Sequence, residues 1–405
     1  MARELFSEAY YLNPYLEEMR AEIEAVFPYE EGVSAVICKD TCFYPEGGGQ
    51  PGDRGELIAS ALSYEVLDTQ RRAGEILHLV RGEGPEPGQE AVLRIDWERR
   101  FDFMQQHSGE HLISGLCHAL KGYDNVGFHI NEETMVIDFN GELTPAELQQ
   151  IEDEANAAVW LNEEIEVLFP SPEEAQRLDY RSKKDVGERL RLIKVGGYDL
   201  CACCGTQVRR TGEIGLIRLR QMQRHRGGVR IQAYCGRRAL QMAQRESALL
   251  DELVRTLSEP PEKLVAAVQD RLDKLTEARL ALREFTFEHL QREAARYVGE
   301  AAALLDASDL DKSSAKDLAK DLSQHFPHFV MLAQRGEEGG RPILNITASR
   351  SPESPVDFDL TAVLAQLKED LSLRGGGQPA FVQARIDCDF ETLRAELVRL
   401  GHLSH

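Results

Sequence analysis

The sequence predicts an α+β protein built from four parts, and three observations point there. The first 95 residues are short strand-like runs broken by Gly/Pro turns. Residues 96–240 alternate helical and strand-like patterns. Beyond them, a Leu/Ala/Glu/Arg-rich helical stretch over 241–305 precedes a last small α/β unit over 306–405. At 405 residues the chain has room for several domains, and 42% apolar residues can fill their cores.

In 1–95, "GVSAVICKDTCFYP" is rich in β-branched and aromatic residues, and "EGGGQPGDRGEL" ends it in a turn. "EILHLV" and "EAVLRIDW" follow across "RGEGPEPGQ", which predicts a small barrel or compact sheet. In 96–240, "FDFMQQHSGEHLISGLCHAL" reads as a helix and "TMVIDF" as a strand. "TPAELQQIEDEANAAVWL" opens on a capping box from Thr144 to Glu147, with Pro145 first in the helix and Leu148, Ile151, Ala155 and Val159 at helical spacing. "RLRLIKV", "IGLIRL" and "VRIQAY" read as strands, giving an α+β sandwich that carries a two-His helix.

In 241–305, Pro260 and Pro261 mark a turn between helices. Val268, Leu275 and Leu282 recur at seven, with Leu272 between, as in a helical hairpin or coiled-coil linker. In 306–405, "HFVMLAQ" and "PILNITAS" are strands, "LTAVLAQLKEDL" is a helix, and "LRGGGQPAFVQA" is a glycine loop.

The net charge of -22 argues against a nucleic-acid binder by bulk charge alone. Yet nine Arg and one acid, Glu213, lie between Arg209 and Arg238, a basic block suited to phosphate unless the acidic helices neutralise it. The start of the chain has no basic-then-apolar signal pattern, and no run is long enough to span a membrane. Clustered Cys in "CACCG" beside a His pair fit a metal site in a reducing, cytoplasmic setting better than a disulfide framework.

His107 and His111, four residues apart on a helix, project from one face and suit two ligands of one zinc ion. With Glu110 they spell H-x-x-E-H, an inverted zinc-protease pattern. That chemistry wants a downstream carboxylate as third ligand, whereas the obvious partners here are the thiols of residues 201–204. His118 sits near the same face and reads as a rim or core residue; Cys38, Cys42, Cys117 and Cys388 read as small apolar fillers.

"TCFYPEGGGQPGDRGEL", "QHSGEHL", "CCGTQVRRTGEIG" and "GVRIQAYCG" occur in that order, followed by "RGGGQPAFVQA". Together they resemble the editing half of alanyl-tRNA synthetase and the long-form AlaX trans-editing proteins with a C-terminal DHH-associated domain. No nucleotide-binding synthetase core is expected before residue 41. The resemblance implies a zinc-dependent hydrolase that deacylates Ser-tRNA(Ala) and Gly-tRNA(Ala). It places Thr41 where a hydroxyl reads the serine side chain, Gln50 as a polar contact beside it, and Asp53 as a turn residue. Gly48 and Gly49 would approach the terminal ribose and adenine, and Arg209, Arg210 and Arg230 would contact the tRNA. One zinc per chain would sit on His107, His111 and Cys203. Gln207 stands where the family's fourth ligand is His, so three outcomes stay open, in this order: Gln207 or water completes the shell, Cys201 or Cys204 does, or metal is lost. The other readings are a catalytically impaired tRNA-binding or assembly protein and, last, a zinc peptidase. A homodimer through residues 240–405 is expected from the heptad stripe.

Overall fold

The computed structural model describes residues 8–182, 190–297, 299–310 and 312–404. The chain divides into two compact units, Met1–Asp251 and Glu252–His405.

The first unit opens with the short helix α1 (Ala9–Leu12) and a closed six-stranded antiparallel barrel. Its strands are β1 (Glu18–Glu30), β2 (Val33–Cys38), β3 (Gly55–Ala59), β4 (Leu62–Arg72), β5 (Glu75–Arg81) and β6 (Glu90–Ile95), in the order β1-β2-β5-β4-β3-β6. Pairing of β1 with β6 closes the ring and removes the free edges. Alternating residues fill the interior, among them Ile23, Val36, Leu57, Val66, Val80 and Leu93. The loop between β2 and β3 folds over the barrel and carries residues 41–50.

Helix α2 (Trp97–Lys121) leaves the barrel after Asp96, whose side chain caps Arg99 N, and stops at the left-handed Gly122. Its buried residues run from Arg100 to Cys117, polar ones included, so this helix is the core of the unit and not a surface stripe. One four-stranded sheet packs with it, ordered β12-β13-β8-β7, from β7 (Asn125–Ile130), β8 (Met135–Phe139), β12 (Ile217–His225) and β13 (Gly228–Cys235). Helix α3 (Pro145–Leu161) has the expected capping box on Thr144 and Glu147. A three-stranded sheet joins β9 (Ile165–Leu168), β10 (Leu192–Val195) and β11 (Asp199–Ala202), with the one-turn helix α4 (Pro172–Ala175) between β9 and β10. Helix α5 (Arg237–Leu257) follows.

In the second unit, α6 (Leu264–Ala295) comes after the turn at Pro261. A five-stranded sheet is ordered β14-β15-β16-β18-β17, from β14 (Ala302–Asp306), β15 (Phe329–Glu338), β16 (Arg341–Arg350), β17 (Leu373–Gln378) and β18 (Phe381–Ile386). Helix α7 (Lys312–Ser323) and the end of α6 cover one face. Helices α8 (Leu360–Asp370) and α9 (Phe390–Arg399) cover the other. Two expectations change here. Gly375 to Gly377 do not form a loop: they are paired residues of the edge strand β17, opposite Ala384 to Val382. Asp53 is no plain turn residue either. It is buried in an ion pair with Arg100 and accepts the Tyr44 amide, tying the loop after β2 to α2.

Candidate metal centre

Three elements converge on one buried cluster. Helix α2 brings His107 and His111, whose rings stand parallel with centroids 5.5 Å apart. The turn after β11 brings Cys203, with its Sγ 3.3 Å from His107 Nε2. The donor atoms of His107, His111 and Cys203 all lie within 4.8 Å of one another. The third element is the loop at 47–50, which lies over them.

Each imidazole has its other nitrogen committed. His107 Nδ1 donates to Gln50 Oε1 at 2.9 Å. The Gln50 amide is itself oriented, because the backbone N–H of Thr206 needs an acceptor and finds the same Oε1 at 3.3 Å, while Gln50 Nε2 donates to Thr206 Oγ1. His111 Nδ1 donates to Asp199 Oδ2 at 2.9 Å, and Arg181 grips both oxygens of Asp199 at 2.8 Å. Both rings therefore turn Nε2 towards Cys203. His111 Nε2 is buried and has no hydrogen-bond partner among the described residues. An orphaned buried acceptor costs stability unless something else occupies it. Together with a thiol at the same point, it fits a divalent ion of borderline softness.

The electrostatics favour a thiolate with positive charge facing it, which is the charge a divalent ion would supply in place of a proton on His111. Burial opposes ionisation of the Cys203 thiol, but the facing His107 and His111 outweigh it and hold the thiol well below its usual range. Burial likewise opposes a charge on His111, and Cys203 with Asp199 overrides it, raising that imidazole well above its ordinary value.

The remaining residues singled out in the sequence fall as follows. Gln207 is buried and reaches Cys203 with its amide nitrogen, Nε2 to Sγ 3.8 Å, while its oxygen accepts the Ser108 hydroxyl at 2.6 Å. Cys201 groups with His111 and Asp199 instead of with Cys203, and Cys204 is exposed. Gly48 and Gly49 make the tip of a tight turn closed by hydrogen bonds between Gly47 and Gln50. Gly49 has φ +84°, and a Cβ on it would meet Phe128 at 2.6 Å, so only glycine fits. Thr41 is buried; its hydroxyl lies 2.8 Å from His78 Nε2 and accepts the Phe43 amide. Glu110 is buried under the helix, where Ser114 and Asn125 donate to its carboxylate, so it is a brace between α2 and β7 and is not turned to a water as a protease base would be. His118 pairs with Asp124 in a half-exposed contact.

The basic block divides. Arg218 and Arg220 pair with Glu246, Arg224 with Glu142, Arg230 with Asp138, Arg237 with Glu98 and Arg238 with Asp102. Arg209 instead stacks over the Tyr15 ring at 4.0 Å, and Arg210 donates to the Asn162 carbonyl. These two stand close in sequence to the metal loop. Sequence reasoning missed Asp199, Arg181, Ser108 and Thr206. A signal existed for the first: Asp199 and Cys201 alternate on β11 and so share one face just before the turn that carries Cys203.

Comparison with known proteins follows the same geography. Residues 15–99 match the class II (A) tRNA synthetase family. Residues 190–232 match the threonyl and alanyl tRNA synthetase second additional domain, a span that holds Asp199, Cys203 and Gln207. The alanyl-tRNA editing protein AlaX-L of Pyrococcus horikoshii is 28% identical over 405 residues, covering 96% of this chain and 96% of that protein. The likeness to this alanyl-tRNA editing protein runs over nearly the whole of both chains. The chain is also similar to the alanine–tRNA ligase of Pyrobaculum arsenaticum, 29% identical over 95% of this chain, and spans only 43% of that enzyme. It is similar to the ligase of Pyrococcus abyssi at 30% identity over 71% of this chain and 31% of the ligase. A solved C-Ala domain of the Aquifex aeolicus alanyl-tRNA synthetase covers 26% of this chain and 89% of its own, at 18% identity and a TM-score of 0.21, too slight a likeness to say anything of the fold.

Proposed function

We propose that this chain hydrolyses the ester joining a wrong amino acid, Ser or Gly, to tRNA(Ala), with one zinc ion on His107, His111 and Cys203. The observation that carries the reading is the convergence of those three donors around the unpartnered His111 Nε2. The name of its full-length relative, an alanyl-tRNA editing protein, supports the substrate class. A bound zinc would supply a Lewis acid for the ester carbonyl and for charge developing on its oxygen.

The chain's own residues set the rest. An aminoacyl ester is already activated, so positioning matters more than a strong base. Gln50 and Asp199 keep the protons of His107 and His111 on Nδ1, which leaves both Nε2 lone pairs aimed at one point. The Gly48–Gly49 tip gives a ribose or adenine a side-chain-free approach to the cluster: a Cβ on Gly48 would lie 3.0 Å from Cys204 Sγ and 3.9 Å from His107 Cε1. His78 Nδ1 donates to the Val36 carbonyl, so its Nε2 is an acceptor and takes the Thr41 proton. Thr41 can then only accept from a ligand: a serine hydroxyl has a proton to give it, and an alanine methyl does not. Arg209 and Arg210 are the phosphate contacts of the tRNA acceptor end, with Arg230 holding the sheet through Asp138. The chain is cytoplasmic and works in translation quality control. Residues 240–405 form the homodimer and the grip on the tRNA body.

The test is direct. The purified chain is analysed for metal and incubated with Ser-, Gly- and Ala-tRNA(Ala). About one zinc per chain, release of Ser and Gly, and retention of Ala are expected, with loss of metal and activity in His111→Ala. A zinc-loaded chain that leaves Ser-tRNA(Ala) intact rules the reading out.

A further inference from the structure

The geometry points to Gln207 as a positioning residue and not a ligand: its amide N–H holds the Cys203 sulfur, and the metal centre has three protein ligands with a fourth position left to a non-protein group. This rests on the metal reading above and adds the ligand set that this chain uses.

The direction of the Gln207 amide is fixed from both ends. Val208 N donates to Ser108 Oγ at 3.1 Å, which occupies one lone pair and leaves the hydroxyl proton to find an acceptor. The Ser108 hydroxyl proton then goes to Gln207 Oε1 at 2.6 Å. The NH2 end is left facing Cys203 Sγ at 3.8 Å. A second donor reaches the same sulfur, Gly205 N at 3.3 Å. Two N–H groups thus converge on one sulfur, which is how a thiolate ligand is held when its remaining lone pairs are buried.

An oxygen ligand would require the amide to turn over. The buried Ser108 hydroxyl proton would then face an NH2 group and lose its acceptor, and the Cys203 sulfur would lose a donor and gain a carbonyl oxygen beside it. Ser108, Gln207 and Val208 are buried and Cys203 is half-buried, so water does not make up the loss at the Ser108–Gln207 contact. Carboxamide oxygen also suits hard cations, whereas the two imidazoles and the thiol suit zinc. Ser108 and Gln207 are therefore a unit: a residue between the two His of α2 sets the orientation of a side chain 99 residues away. A centre with three protein ligands keeps a position open, as catalytic zinc sites do and closed structural sites do not.

The experiment uses the full chain with Co2+ in place of zinc. The intensity of the d–d bands reads coordination number, and the sulfur-to-cobalt charge-transfer band reads electron density on Sγ. In Gln207→Leu, Co2+ should still bind at one per chain with unchanged d–d bands. The charge-transfer band should move to lower energy, and affinity by chelator competition should fall about 10-fold, the usual effect of removing an outer hydrogen bond. Ser108→Ala, which keeps Gln207 but frees its amide to turn, should shift the same band in the same direction. Gln207→His, which supplies a nitrogen ligand, should change the d–d bands and tighten binding. If Gln207→Leu alters the d–d bands while leaving the charge-transfer energy in place, Gln207 is a ligand and the proposal falls alone. If the native chain takes up neither Co2+ nor Zn2+, the metal reading falls and takes this one with it.

Discussion

His107 and His111 meet their target through the same ring atom because Gln50 and Asp199 hold the other. Asp199→Asn keeps the shape but weakens the acceptor, so zinc affinity should fall by about 10-fold in chelator competition, with the fold retained. Thr41→Val removes the hydroxyl at nearly constant volume. Preference for Ser-tRNA(Ala) should drop by about 1 kcal/mol in relative kcat/KM, with a smaller loss on Gly-tRNA(Ala). Equal losses on both would make Thr41 purely structural. Its partner His78 gives a pH dependence: burial lowers its pKa from 6.5 to about 4. The unfolded chain takes up that proton below pH 6.5, and the folded chain refuses it until about pH 4. The stability held above that window is lost as pH falls through it, by on the order of 3 kcal/mol. Unfolding midpoints measured from pH 7 to 4 should show that slope in the native chain and a flatter one in His78→Gln.

At the scale of elements, α2 brings His107 and His111 to the cluster from a helix buried on most sides, and the loop after β11 reaches it only through a glycine. A Cβ on Gly205 would sit 2.0 Å from His107 Cε1. Gly205→Ala should therefore displace the ring or the loop, costing about 1–3 kcal/mol of stability. Its metal content after dialysis should fall well below that of the native chain, while an equal metal content would show that the loop can yield. The basic strands β12 and β13 are largely neutralised by neighbouring acids, which separates their cations into two groups. Arg209→Ala and Arg210→Ala should each lower the salt dependence of tRNA binding by about one counterion. Arg230→Ala should leave that slope alone and lower the melting temperature, because its charge is committed to Asp138.

For the molecule as a whole, the second unit leaves Val265, Val268, Leu272, Leu275 and Leu282 of α6 exposed. A stripe of that kind on a single chain is uncommon without a partner. The full chain is expected to sediment as a dimer, and a chain ending after Asp251 as a monomer that still binds zinc and deacylates a short acceptor stem. A dimeric truncation would place the interface elsewhere. No helix among the described residues is long and apolar enough to cross a membrane.

The sequence by itself determined what depends on local spacing. Two His four apart face one way on a helix, alternating apolar residues in short strands between Gly/Pro turns close a barrel, and Thr144 with Glu147 starts α3 where expected. The thiol segment was legible as a source of soft donors to set beside the His pair, because such donors are rare in clusters. What only the tertiary structure decided is the partner of each polar group. Nothing in the sequence says where the Gln207 oxygen goes, and in the fold it accepts the Ser108 hydroxyl; Asp53 reads as a turn residue until Arg100 is packed on it. Arg230 has no assigned partner in the sequence, and the fold sets Asp138 opposite it on β8. Gly375 to Gly377 read as a loop until β18 pairs with them. In each case the side chain or backbone group has several possible partners along the chain, and burial selects one because a polar group shut away from water must be satisfied where it lies.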